Sequence, residues 1–366
     1  MELTWGEDFE ALAQVARSVF AKDSPLVDRE GAVDERDRHR QLVELGWLQL
    51  HGAPGSSDGA GLASAAGVFV EMGRALAPSP LPALARARDL ALRIDSPAAA
   101  DLAERIGDGE EWIVAVPLDE RWGEAPMRLE SGRLEGRAMA VPHAARADVL
   151  LVGALEGDRP VVVRVDAGDV EVELMPNLGE RPLFAIRCDR VEVRPEDVLA
   201  RGEAAARAWA VSGRRADVML AAQVYGAGLR LLDATVTFAG QRHQFGGPIG
   251  RFQAVQYLCT DIAIDVHLTS AYAREAARVL DAGGDAELEV ALLRRQASRT
   301  AQSMVHAAHE VHAGLGFMLE SDVHLFTKAA KYWQFELHHP TDEHTIVTCL
   351  GAETGVEVPR ESEVAL

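Results

Sequence analysis

Cysteine is scarce in this sequence. Three residues among 366, Cys188, Cys259 and Cys349, stand far apart. Their spacing excludes both a disulfide framework and a cysteine-based metal site, and they read as ordinary thiols in a reducing cytoplasm. Positive charge is short as well. Lys and Arg number 37 against 57 Asp and Glu, a formal net charge of −20. A general nucleic-acid binder is thereby excluded, and an anionic membrane surface is an unsuitable partner. A polyanionic ligand stays open only where a local cationic pocket receives it. No apolar run reaches the ~20 residues of a membrane span. The opening MELTWGEDFEAL is acidic and lacks the basic-then-apolar order of a signal peptide. A cytoplasmic protein without a membrane or nucleic-acid partner is expected.

What the chain does have is length and a 48% hydrophobic content, enough for two or three packed layers and a large core. Phe9, Leu12, Ala13, Ala16, Val19 and Phe20 fall on one helical face. Further helices are expected at about 34–46, 62–76 and 96–107, with a Gly/Ser loop at 52–61. That loop is flanked by helices, whereas a phosphate-cradling Gly loop follows a strand. From Trp112 the texture changes to short β-branched runs such as WIVAVPL, DVLLVGAL and PVVVRVD, predicting six to eight strands between 112 and 198. From Glu203 the pattern is helical again, over 203–239, 250–281 and 286–312, with a Gly-rich break and last helices from Ser321 to Gly351. The fold class is α+β multidomain: an N-terminal helical domain at 1–110, a middle antiparallel β-barrel or sandwich at 111–200, and a C-terminal four-helix-type bundle at 201–366.

The densest motif is RHQFGGPIGRFQAVQ, Arg242 to Gln256. On residue types alone it is a helix-turn-helix joint, with Pro248 and the glycine pair ending one helix and starting the next. Arg242 cannot lose its charge, and its planar fork suits a phosphate; a surface carboxylate would serve it equally well. Near the C-terminus His338, His339 and His344 cluster, but this spacing is not a zinc pattern, so no metal is expected.

This string resembles a signature of the acyl-CoA dehydrogenase family, R-x-x-F-G-x-x-I-x-x-F/H-Q. Residues 41–62, 134–152 and 177–199 are similar to other passages of that family. The helix, β, helix order matches its architecture, so the resemblance covers nearly the whole chain. It implies removal of two hydrogens from an acyl-CoA thioester. A carboxylate takes the α-proton and the flavin N5 takes the β-hydrogen as hydride. It also implies an FAD site shared across a subunit interface. Arg242 would meet the pyrophosphate of a neighbouring chain's FAD. Gln244 and Phe245 would line the adenosine half, and Ile249, Phe252 and Gln253 would complete the wall. The family's Q-x-x-G-G-x-G loop reads here as Glu310 to Gly316. Gly314 and Gly316 are kept, while Glu310 replaces the Gln and Ala313 replaces a Gly.

Two further parts of the family pattern are missing. Its Thr-Glu-Pro and Gly-Ser-Asp elements, which contact the flavin ring, correspond to VAVPLDERWGEAP at 114–126, which has no Ser or Thr hydroxyl. Its base, a Glu in a Y-E-G-T turn, corresponds to Glu336, but Leu337 and His338 follow it. Asp217 lies one residue from the family's other base position, a rotation of ~100° on a helix. A kept trans clamp with a lost pocket and base is similar to the degenerate subunit of actinobacterial heterotetrameric steroid-CoA dehydrogenases. The segment 323–341 is also closer to that subunit's ending. The expectation is therefore a non-catalytic subunit that completes the FAD site of a homologous partner in an α2β2 enzyme. The partner would carry most of a steroid-derived or otherwise bulky acyl-CoA, and an electron-transfer flavoprotein-type acceptor would suit it. The alternatives are a self-sufficient homotetramer with Glu336 or Asp217 as base, and a flavin-free structural subunit.

Overall fold

The computed structural model describes residues 5–27, 34–50, 52, 60–118 and 125–354. Most of the 52–61 loop and residues 119–124 of the 114–126 stretch therefore lie outside the described residues. The first helix, α1 (Phe9–Phe20), buries Phe9, Ala13, Ala16 and Phe20, while Leu12 and Val19 are half-buried. It is followed by α2 (Glu35–Glu44), α3 (Leu62–Arg74), α4 (Leu81–Leu92) and α5 (Pro97–Gly107). α4 is the one helix of this block that the apolar period does not reveal. It starts among prolines and buries Leu81, Leu84, Ala85, Ala87, Asp89, Leu90 and Ala91. A helix covered on most faces loses the one-sided period by which helices are read.

Eight strands follow, from β1 (Ile113–Val116) and β2 (Arg128–Glu130) through β3 (Arg133–Pro142), β4 (Val149–Glu156), β5 (Arg159–Asp166), β6 (Glu171–Leu174) and β7 (Leu183–Glu192) to β8 (Val198–Arg201). They form one sheet in the order β6-β7-β3-β2-β4-β5-β8, with β1 beside β4. The pairings are antiparallel except two. β1 runs parallel to β4, from Ile113↔Val149 to Val116↔Val152, and β2 meets β4 in parallel at Arg128↔Leu155. The β2–β3 hairpin intervenes between β1 and β4, and that long connection is what a parallel pair needs. Val114, Leu134, Leu150, Val152, Val163 and Ile186 make the core of this region.

The rest is helical: α6 (Glu203–Gln241), α7 (Gln253–Asp281), α8 (Glu287–His312), α9 (Val323–Glu336) and α10 (Asp342–Thr354). By packing, the chain divides into two compact units built from discontinuous sequence. One comprises Gly31–Ala65 and Pro78–Ala216, the other Met1–Glu30, Ala66–Ala77 and Asp217–Leu366. In the first, Asp89 is 1% exposed and its carboxylate holds Arg215 Nε at 3.0 Å and Arg93 Nε at 2.8 Å. In the second, α3 crosses α6 at glycines. A Cβ on Gly226 would lie 1.8 Å from the Val70 carbonyl, and one on Gly73 would lie 2.0 Å from that of Gln223. Only residues without side chains allow backbones that close.

Candidate functional site

The joint between α6 and α7 is a β-hairpin, and the helix corner expected from FGGP is corrected accordingly. Two short strands, β9 (His243–Gln244) and β10 (Gly247–Pro248), pair antiparallel with Gln244 opposite Gly247. Pro248 sits in the second strand at φ −63°, ψ 142°, and α7 starts only at Gln253. The prolyl ring is tolerated because so short a strand needs no amide donor there. The two turn residues are Phe245 and Gly246, at φ 54° and 83°. Positive φ at both central positions is the primed turn that matches strand twist. Glycine accepts it freely, while a bulky aromatic residue does so at a cost. Phe245 is also 84% exposed. A strained, uncovered phenylalanine contributes nothing to the stability of its own chain.

Around the tip the side chains face solvent. Arg242 is exposed and forms no ion pair among the described residues, so the surface-carboxylate alternative has no counterpart there. Its backbone closes the root of the hairpin, the Ile249 N–H donating to the Arg242 carbonyl at 2.8 Å. Gln244 and Gln253 are exposed and Ile249 is half-buried. Phe252 packs edge-on to Phe245, with ring centroids 6.1 Å apart. The hairpin thus presents a guanidinium fork, two primary amides and an aromatic face.

The second glycine-bearing segment leaves the same end of the bundle. His312, the last residue of α8, stacks on Phe238 near the end of α6, with centroids 4.2 Å apart and planes 15° from parallel. The Phe238 backbone carbonyl in turn accepts the Arg242 backbone N–H at 2.8 Å. The stack therefore brings the start of the Ala313–Phe317 helical turn beside the root of the hairpin. The sequence reading passes over this pairing, because a His and a Phe 74 positions apart carry no local signal. Burial, and then His309, hold the His312 imidazole below its ordinary pKa. Both of its ring nitrogens lack a hydrogen-bond partner among the described residues. Gly316 is tightly placed: a Cβ there would lie 2.9 Å from His309 Nδ1. Around Gly314 there is open space.

Ala313 explains the glycine that this loop lacks. Its backbone, φ 52° and ψ −137°, keeps a conformation suited to glycine, so the alanine is strained by a cost on the order of 1–3 kcal/mol. Ala313→Gly is accordingly expected to stabilise the protein by about 1 kcal/mol after glycine's larger unfolded-state entropy is subtracted. The check is a higher urea midpoint at unchanged slope; a lower midpoint would mean that the alanine is unstrained.

The candidate bases are placed unfavourably for proton abstraction. Glu336 is the last residue of α9, and the backbone stays helical at Leu337 (φ −87°, ψ −8°). Leu337 is fully buried and no turn redirects the half-buried Glu336. Asp217 is engaged by Arg294, whose Nη1 donates to Oδ2 at 3.1 Å. The same guanidinium holds Asp342, Nε donating to Oδ1 at 3.0 Å. His339 Nδ1 lies 2.8 Å from the Thr341 hydroxyl, and the described residues contain no group of donors able to hold a metal. In the 114–126 stretch, Val116 is buried and Leu118 lies close over Gly153, where a Cβ would come within 2.7 Å of it.

Comparison with known proteins identifies the family. Residues 213–336 match the family profile "Acyl-CoA dehydrogenase, C-terminal domain". The chain is 30% identical to acyl-CoA dehydrogenase FadE27 of Mycobacterium tuberculosis over 331 residues, 84% of this chain and 86% of that protein. It is 28% identical to acyl-CoA dehydrogenase IpdE2 of the same organism, covering 90% and 92% of the two chains. Among solved structures, a chain of the ChsE4-ChsE5 complex from Mycobacterium tuberculosis superposes with a TM-score of 0.84 at 26% identity, over 98% of this chain and all of that one.

Proposed function

The chain belongs to the acyl-CoA dehydrogenase family, and on that premise we propose that it is the FAD-completing, non-catalytic subunit of a heteromeric acyl-CoA dehydrogenase. One observation carries the reading. The hairpin at 243–248 displays a strained, exposed Phe245, and Arg242 at its root has no ion pair among the described residues, a surface suited to a ligand from outside the chain. The donor set fits the outer half of FAD. A guanidinium fork suits the two charges of a pyrophosphate, and Gln244 and Phe245 offer an amide and a ring face to an adenosine. When bound, FAD supplies the hydride acceptor. This chain's residues hold and orient its nucleotide half from across the interface, and Gly314 and Gly316 let the backbone come close. Among the described residues no candidate carboxylate is presented as a base, so the α-proton is assigned to the partner. The similarity to a chain from the ChsE4-ChsE5 complex supports a related partner subunit. The sequence resemblance supports a steroid-derived or other bulky acyl-CoA, held mainly by that partner.

The assembly is expected to be a tetramer of two copies of each chain. Tyr257, Ile264 and Leu268 form an exposed stripe on α7, and Val236 lies exposed on α6, an apolar surface large for a monomer. Purifying the tagged chain from its native host tests the proposal. A related chain should accompany it, with two FAD per four chains. Four FAD per tetramer would show that this chain's own middle region binds flavin. A colourless assembly would identify a structural subunit. Glu336→Gln should leave turnover within a few-fold; a loss on the order of a thousandfold would favour the self-sufficient enzyme, since a missing base costs about 10²–10⁴.

A further inference from the structure

We infer that Arg251 is a positioning residue for this hairpin. Its guanidinium pins the tip so that Phe245 stays presented outward. The inference rests on the function proposed above and goes beyond it, because Arg251 is not among the residues that would face FAD.

Three contacts converge on this one side chain. Its Nη2 donates to the Phe245 carbonyl, at the strained turn position. Its guanidinium carbon lies 5.0 Å from the centroid of the Phe252 ring, within range of a cation–π contact. Its Nη1 occupies the space beside Gly247, where a Cβ would lie 2.9 Å away. The Phe252 ring meets Phe245 edge-on, so Arg251 supports Phe245 twice, through its carbonyl and through its aromatic neighbour. A two-pair hairpin is marginal in water without such support, and the left-handed Phe245 makes relaxation of the turn more favourable still. Arg251 and Arg242 therefore have different tasks. The charge of Arg251 is engaged within the hairpin, while that of Arg242 is left for something outside it. Lysine cannot replace Arg251, because one ammonium cannot lie flat on a ring and reach the carbonyl together.

The test uses the flavin-bearing assembly in which the tagged chain purifies, stripped of flavin and titrated with FAD. Arg251→Ala is expected to weaken FAD binding about tenfold, the loss of one charge-assisted hydrogen bond at an exposed site. Arg251→Lys should weaken it a few-fold. The melting temperature of the flavin-free assembly should stay within a degree or two, because the contacts of Arg251 lie within one short hairpin outside the core of its own chain. The deciding readout is a double-mutant cycle with Phe245→Ala. If Arg251 acts through Phe245, the double variant binds FAD within about twofold of Phe245→Ala alone. Additive losses, or unchanged affinity in Arg251→Ala while Phe245→Ala weakens binding, would overturn the assignment. If Arg251→Ala fails to assemble, Arg251→Lys carries the cycle. If Arg242→Ala also leaves FAD affinity unchanged, the proposed function itself fails, a result separate from failure of the pin.

Discussion

Replacing Arg242 by alanine is expected to weaken FAD binding by the assembled enzyme ten- to a hundredfold. The magnitude follows from the chemistry of the contact. Hydrogen bonds to charged groups contribute roughly 1.5–3 kcal/mol, and each 1.4 kcal/mol is about tenfold in affinity. Arg242 forms no ion pair among the described residues, so removing it breaks no pair in its own chain. Stability of the flavin-free assembly should accordingly hardly change. Arg242→Lys keeps the charge but loses the planar fork, and should fall between alanine and wild type. The dissociation constant of FAD for the three forms is the measurement. Equal affinity across the series, with the complex intact, would reduce Arg242 to a surface residue and remove the clamp.

The parts of this protein that were legible in the sequence are those that local pattern determines. The bundle helices expected at 203–239 and 286–312 are Glu203–Gln241 and Glu287–His312, because long proline-free runs rich in helix-forming residues tolerate few other structures. α4 was not legible, since burial on most faces erases the period. The α6–α7 joint was placed correctly but given the wrong conformation. Gly and Pro interrupt helices and hairpins alike, and the pairing of Gln244 with Gly247 depends on geometry that composition does not encode. The candidate clamp residues were legible as types at fixed spacing, but their surroundings were not. That Asp217 is held by a guanidinium 77 positions away, while Arg242 meets no carboxylate among the described residues, is decided by how distant helices pack. The Phe238–His312 stack is invisible for the same reason.

Arg294→Met should cost the protein about 3–5 kcal/mol at neutral pH, because it strips the cation from two largely buried carboxylates at once. Arg294 donates to Asp217 through Nη1 and to Asp342 through Nε and Nη2, and all three side chains are largely enclosed. Asp342 is already under stress: burial raises its carboxyl above the ordinary range, and Arg294 opposes that rise. A carboxyl whose folded pKa exceeds its unfolded value favours folding at pH below the unfolded value. That contribution disappears as pH rises through the folded value. Without Arg294 the folded value rises further. The deficit of Arg294→Met relative to wild type should therefore be largest at neutral pH and shrink on acidification, as the bare Asp342 carboxyl takes up its proton. Denaturant midpoints of both proteins at neutral and mildly acidic pH measure this. A deficit that is independent of pH would mean that the arginine acts by packing alone. The same series bears on the site. As a structural ligand of Arg294, Asp217 changed to Asn should lower stability while turnover of the folded assembly stays within a few-fold. A collapse in turnover at unchanged stability would return Asp217 to the role of base and overturn its place in this ion-pair network.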